Sequence, residues 1–200
     1  GTEFAQSDAD LDKQIGFYPD IKKSRATARE LLKSAGAEGL EFSYSNRAVA
    51  HPYDQYAIWL MDNWKKCGLK PTMETNPTAK YKSMRTKGGF DATIDWNASF
   101  LPHPMLMLSK YQGYSRNPLN YSRAEAPKYD ALYTAMNAEM DPAKLKVMAA
   151  KLENMALDDA WYLPLGYFAR TVPMLSKIKG YHIGYTHAAN NDWRGMWIDD

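Results

Sequence analysis

Two hundred residues hold one ordinary domain or two small ones, and a composition 45% hydrophobic and 24% charged supports a core and excludes wholesale disorder. The 25 basic and 23 acidic residues nearly cancel to a formal charge of +2 and are spread along the chain, which excludes a nucleic-acid arm or a polybasic membrane patch. The single cysteine, Cys67, excludes an intrachain disulfide framework and a cysteine-rich zinc site, and no apolar run approaches the ~18 residues that span a bilayer.

Gly1-Thr2-Glu3-Phe4 has neither the basic start nor the apolar stretch of a signal peptide. It reads as a cloning remnant, with residues 1–8 as remnant and linker and 9–200 as the folded part. Pro19-Asp20 announces the first ordered element, Asp20 capping a helix from Ile21. Ala28, Leu31, Leu32 and Ala35 give that helix one apolar face, and Gly36 and Gly39 stop it. Leu40 to Arg47 alternates Leu40, Phe42 and Tyr44 with Glu41, Ser43 and Ser45, which predicts a half-buried strand.

Pro52 suits the first turn of the next helix, striped by Ala57, Leu60, Met61 and Trp64 and ended by Gly68. Leu69 to Thr75 predicts a second strand, so strand, helix and strand form a βαβ unit with parallel strands and a right-handed crossover. A helix over 78–86, broken at Gly88-Gly89, leads to a third strand over 90–96. From Asn97 to Pro127 periodicity fades, apart from a short helix near Met105 to Lys110; a long irregular stretch inside a domain is more often functional than accidental.

Order then returns. Tyr129, Leu132, Tyr133, Met136 and Met140 mark one helix face, and Asp141-Pro142 starts the next, with Leu145, Met148, Ala149, Leu152, Met155 and Ala156 inward. Trp161 to Phe168 predicts an edge or bulged strand because of Pro164, with Lys177 to Tyr185 beside it. The fold class is α/β: a mixed sheet with a parallel βαβ unit flanked by helices, sheet and helices sharing one core.

No G-x-S-x-G, P-loop, G-x-G-x-x-G, H-E-x-x-H or C-x-x-C occurs. His51, His103, His182 and His187 read as ordinary surface or core histidines, and no metal or cofactor is expected. Asp91 and Asp95 share a strand face, but four residues separate their backbones by ~13 Å, too far for a glycosidase pair. The methionines at helical spacing read as core filler. Asn97 and Asn120 begin Asn-x-Ser sequons, which matter only in a eukaryotic secretory protein.

The aromatics carry more. Trp96, Phe100, Tyr111, Tyr114 and Tyr121 crowd the irregular stretch among Asn97, Ser99, Asn117 and Asn120. Apolar walls with a few orienting polar groups describe a small-molecule groove. A loop packed by its own aromatics is the other reading.

The order of segments resembles the last lobe of family 5 extracellular solute-binding proteins, the peptide, dipeptide and nickel type of ABC-transporter receptor. The residues that carry the resemblance are Tyr18-Pro19-Asp20, Ala28-Arg29-Glu30-Leu31-Leu32 with Ala35-Gly36, and Trp64-Lys65-Lys66-Cys67-Gly68-Leu69-Lys70. They continue with Gly89-Phe90-Asp91-Ala92 followed by Trp96, Tyr129-Asp130-Ala131-Leu132, Trp161-Tyr162-Leu163-Pro164-Leu165, Lys179-Gly180-Tyr181 and Met196-Trp197-Ile198-Asp199.

The resemblance covers the C-terminal part of such receptors. It implies one lobe of a type II periplasmic-binding-protein-like fold over 9–200, with 190–200 returning toward an N-terminal lobe outside this chain. It also implies a non-enzymatic, monomeric receptor, periplasmic or extracytoplasmic and membrane-associated, that closes on a small-molecule or peptide ligand and delivers it to ABC permease subunits. On this reading Asn97 to Tyr121 form one wall of the cleft. Trp96 and Phe100 stack, Ser99, Asn117 and Asn120 hydrogen-bond, and Arg116 meets a carboxylate or stays solvated. Ser99 stands where peptide-binding members carry the Asp that holds the ligand's amino terminus. A hydroxyl lacks the charge-assisted bond an ammonium prefers, so the ligand class widens from free-amine peptides to other small polar solutes. Two other readings are a carbohydrate-active enzyme, which requires a carboxylate pair at glycosidase spacing, and a protein-interaction domain with an aromatic surface.

Overall fold

The structure, a computed structural model, describes residues 3–99, 103–166, 172–182 and 193–199. The chain forms two compact units. One spans Gln6–Trp96; the other begins at Asn97 and includes the first few residues of the chain.

The unit over 6–96 opens with a short helix the sequence reading did not anticipate, α1 (Asp8–Leu11), begun by Ser7 Oγ accepting from the Asp10 N–H. Helix α2 (Ile21–Ser34) starts as expected, Asp20 Oδ1 accepting from the Lys22 N–H at 2.8 Å. It ends at Ala35, where Gly36 turns to a φ of +63° that a side chain disfavours. Strand β1 (Glu41–Arg47) pairs in parallel with β2 (Lys70–Asn76), in register from Glu41 with Lys70 to Arg47 with Asn76. On its other side β1 pairs with β3 (Ala92–Thr93), giving the order β2-β1-β3. Helices α3 (Gln55–Lys66) and α4 (Thr78–Lys87) make the connections, and Gly88 closes α4 in the left-handed region at φ +72°.

Three expected features form differently in this unit. The first is the half-buried strand. Tyr44, Ser45 and Asn46 are buried in succession, because β1 is the central strand of a parallel sheet and both its faces are covered. Phe42 and Tyr44 pack edge-on against Trp64 of α3, with ring centroids 5.1 and 5.7 Å away. Opposite, the small Ser45 lets α4 approach, its hydroxyl 2.9 Å from Met84 Sδ. The second concerns Pro52, which does not open a helix. It lies in a π-type turn, Ala50–Asp54, that precedes α3. The third is the strand over 90–96, which pairs only at Ala92-Thr93.

In the second unit His103 Nδ1 accepts from the Met105 N–H and begins α5 (Pro104–Ser109). Then come α6 (Pro127–Ala138) and α7 (Pro142–Asp159), the latter capped by Asp141 as expected. Leu108, Tyr129, Tyr133, Met136, Leu145, Ala149, Leu152 and Ala156 form a buried helical core. The hydroxyls of Tyr129 and Tyr133 donate to the carbonyls of Leu108 (2.8 Å) and Met105 (2.9 Å), tying α6 to α5. Burial of Tyr129 drives its phenol pKa up, so it stays a donor.

This core is all helical; in the other unit the sheet shares a core with α3 and α4, where Tyr44, Ala57, Leu60 and Tyr81 are buried. Met140 is also corrected. It is 90% exposed because α6 stops at Ala138 and Glu139 folds back to accept from the N–H groups of Met140 and Asp141. Residues 161–166 form no strand, and the rest of that expected element lies outside the described residues. Strand β4 (Ile178–Lys179) pairs antiparallel with β5 (Trp197–Ile198) instead; residues 183–185 of the expected segment lie outside the described residues.

Candidate functional site

The unit over 6–96 presents two residues at the same end of its sheet. In an open parallel sheet, ligands settle beyond the carboxyl ends of the strands, where the strand order reverses. Here β1 sends its connection outward to β2, and the next connection crosses back to β3 on the far side. The reversal therefore falls between β1 and β3. Arg47 is the last residue of β1, and Trp96 follows β3.

Arg47 Nε donates to Thr78 Oγ1 at 3.1 Å and Nη1 to the Tyr53 hydroxyl at 3.1 Å, with the guanidinium 4.9 Å above the Tyr53 ring. These contacts aim a planar cation without neutralising it. Among the described residues no carboxylate pairs with Arg47. Beside it, Asn46 is wholly buried; its amide donates to Asp54 at 2.6 Å, while its carbonyl oxygen has no partner among the described residues. Sequence reading missed Arg47. Its one signal is position, an arginine closing the first strand of a βαβ unit.

Trp96 is 67% exposed. Of the two strand carboxylates, Asp91 accepts from the backbone N–H and hydroxyl of Ser43, both at 2.9 Å, which holds its pKa below the ordinary aspartate value. Asp95 pairs with Arg85. Each carboxylate is engaged within the fold.

The remaining candidates lie in the second unit. Asn97 and Asn117 both donate to carbonyls of α5, Asn97 to Met107 (2.9 Å) and Asn117 to Ser109 (2.8 Å). Asn120 is fully buried. Its amide donates to Gln112 (2.7 Å) and Ala124 (3.3 Å), and its carbonyl accepts from the hydroxyls of Ser122 (2.5 Å) and Tyr162 (3.2 Å). Tyr111 packs edge-on against Tyr162, with centroids 5.3 Å apart. Ser99 is buried, Tyr121 half-buried with the Lys110 ammonium 5.6 Å above its ring, and Arg116 exposed. Phe100 lies outside the described residues. Asn117 and Asn120, read from the sequence as ligand contacts, thus spend their amides holding the loop. Much of this stretch is a loop packed by its own side chains.

Arg116 and Ser115 border a shallow pocket of about 370 Å3, with Glu125, Pro127, Asp130 and Ala131. Glu125 and Asp130 both face Gly113, but as fasteners: Asp130 accepts from the Gly113 N–H and Glu125 from the Ser115 N–H, each at 3.0 Å. Among the described residues no group of three or more His, Cys, Asp or Glu could hold a metal ion, and no helix is long and apolar enough to cross a membrane.

No family model matches the chain, and no curated protein matches it. Solved structures do. The chain is similar to the ABC transporter-associated periplasmic binding protein DppA from Helicobacter pylori, bound to the peptide STSA, at 22% identity and a TM-score of 0.74 over 95% of this chain and 36% of that one. It is similar to MppA, a periplasmic murein tripeptide-binding protein in its unliganded open form, at 20% identity and a TM-score of 0.78 over 98% of this chain and 38% of that one. The OppA of Burkholderia pseudomallei matches at 18% identity and a TM-score of 0.77, over 94% of this chain and 37% of the other. The chain spans little more than a third of the length of these neighbours, and it has the α/β fold of that portion of a type II periplasmic binding protein.

Proposed function

We propose that this chain is one lobe of a solute-binding protein of an ABC importer, and that it offers one wall of a cleft to a peptide-like or other small carboxylate-bearing solute. The observation that carries the reading is the fold match over nearly the whole chain to binding proteins of peptide transporters, together with the fraction of each that it covers. The role is capture and release without covalent chemistry, in an extracytoplasmic setting. Residues 9–200 act as the ligand-gripping lobe, with the last segment, 190–200, running toward the other lobe.

Arg47 binds the solute's carboxylate, since a guanidinium preset by Tyr53 and Thr78 matches a carboxylate with two parallel hydrogen bonds. Trp96 offers its exposed ring for stacking. Ser99, Phe100, Arg116 and Tyr121 remain candidate contacts carried by the second unit, and Asn97, Asn117 and Asn120 hold that unit's loop in shape. Ligand binding shifts the whole receptor toward closure, because only the closed state lets both lobes contact the solute.

The reading frame around these codons tests this. A frame that continues upstream into another lobe, beside permease and ATPase genes, is the expected result. A frame with no second lobe and no transporter neighbours contradicts it.

A further inference from the structure

We infer that Asp95 and Arg85 are positioning residues for Trp96: their ion pair, with Tyr81, clamps the chain where it leaves the sheet and so fixes how the exposed indole is presented. The role given to Trp96 rests on the solute-binding reading above; the clamp itself does not.

Sheet pairing of β3 ends at Thr93, opposite Ser45. Beyond it the backbone has no ladder to hold it, yet three successive residues are tied down. Thr93 Oγ1 lies 2.9 Å from the Ser45 carbonyl and 3.2 Å from the Tyr81 hydroxyl. The Tyr81 hydroxyl donates to the Ile94 carbonyl, and Arg85 Nη1 donates to Asp95 Oδ1. Tyr81 and Arg85 stand four residues apart on one face of α4, with the guanidinium 5.6 Å over the Tyr81 ring.

The ion pair differs in kind from the other salt bridges. The Arg85 and Asp95 side chains are 12% and 9% exposed, whereas the remaining described pairs have both side chains largely in solvent. A desolvated pair is weak evidence of stabilisation, because desolvation offsets much of the attraction. Its geometry is nevertheless strongly specified, since neither charge tolerates losing the other. The next residue is Trp96, two-thirds exposed. A buried, orientation-specific pair directly before an exposed aromatic, at the sheet end where ligands settle, is how a binding side chain is preorganised.

The test is fluorine NMR of the chain labelled with 5-fluorotryptophan, the Trp96 resonance being assigned by Trp96→Phe. Asp95→Asn keeps the shape and removes the charge; Arg85→Met removes the partner. Leu60→Ala, in the α3 core of the same unit, controls for general loss of stability. Far-ultraviolet circular dichroism confirms that each variant folds, and Asp95→Asn stands in if Arg85→Met does not. The expected result is that the Trp96 resonance moves most of the way to its position in urea in the pair variants and stays in place in Leu60→Ala. A resonance unmoved in folded pair variants, or moved as far in Leu60→Ala, overturns the inference. Peptide titration of the complete gene product is a separate arm. If Trp96 moves as expected but no peptide binds, the clamp stands and the solute-binding reading fails.

Discussion

Replacing Asn120 by Ala separates a scaffold role from a ligand-contact role. Asn120 is fully buried and its amide serves five hydrogen bonds, to Gln112, Ala124, the Ser122 backbone and hydroxyl, and Tyr162. Gln112, Ser122 and Tyr162 each lose a partner when the amide goes, while the Ala124 carbonyl keeps the Tyr114 N–H. At a net of about 1 kcal/mol per bond, Asn120→Ala costs about 3 kcal/mol. Asn117 is half-buried and makes two side-chain bonds, to Ser109 and Leu119, so Asn117→Ala costs about 1 to 2 kcal/mol. Exposed Arg116 gives a third point: Arg116→Ala stays within about 0.5 kcal/mol. Because the chain has two units, the assay must be local. Hydrogen exchange read by mass spectrometry on peptides from 104–166, across a urea series, reports the opening free energy of that unit. A cost below about 1 kcal/mol for Asn120→Ala, or an equal cost for Arg116→Ala, would show that the amide does not hold the loop.

Three further outcomes follow from packing and charge. Gly113→Ala places a Cβ 2.7 Å from Glu125 Oε2 and 2.9 Å from the Ala126 nitrogen. That overpacking costs about 2 kcal/mol, visible as a lower urea midpoint. Leu152→Ala empties a fully buried position of α7 and costs about 3 kcal/mol in the same assay. The pKa of Asp91 is depressed in the fold by the Ser43 N–H and hydroxyl, so its contribution is complete above the ordinary aspartate value of 3.8 and drains away as pH falls below it. Asp91→Asn flattens the acid limb of stability against pH; an unchanged limb would mean the Ser43 contacts carry nothing.

Much of the architecture was legible because its signals are local. Asp20 and Asp141 announce helices by capping them, and Gly88 ends one where a left-handed residue is needed. The parallel pairing of β1 and β2 follows from a strand, a helix and a strand of ordinary lengths. The errors arise where distant packing decides. The serines of β1 look solvent-facing in isolation, and only the approach of α4 buries Ser45. Met140 continues the helical stripe, yet Glu139 ends the helix before it.

The site divides the same way. Trp96 was visible as an aromatic in an irregular stretch, and the structure leaves it exposed. Asn117 and Asn120 look like ligand contacts in sequence because an amide's partners do not appear there; Gln112, Ser109 and Tyr162 take those bonds only in the folded loop. Arg47 belongs to no motif. Its place in the proposed site comes from where strand order reverses, which depends on the position of β3.

Isothermal titration of the complete gene product with peptides of increasing length, beside Arg47→Ala and Arg47→Lys, decides whether Arg47 grips a solute carboxylate. The expected result is measurable binding by the natural protein, at least a tenfold loss in Arg47→Ala from losing a charged hydrogen-bonded pair, and incomplete rescue by Lys, which lacks the planar fork. Amidating the peptide's carboxyl end should weaken binding to the natural protein but not to Arg47→Ala. Equal affinity of the natural protein for the free and amidated peptides, with Arg47→Ala unimpaired, would show that Arg47 grips no carboxylate.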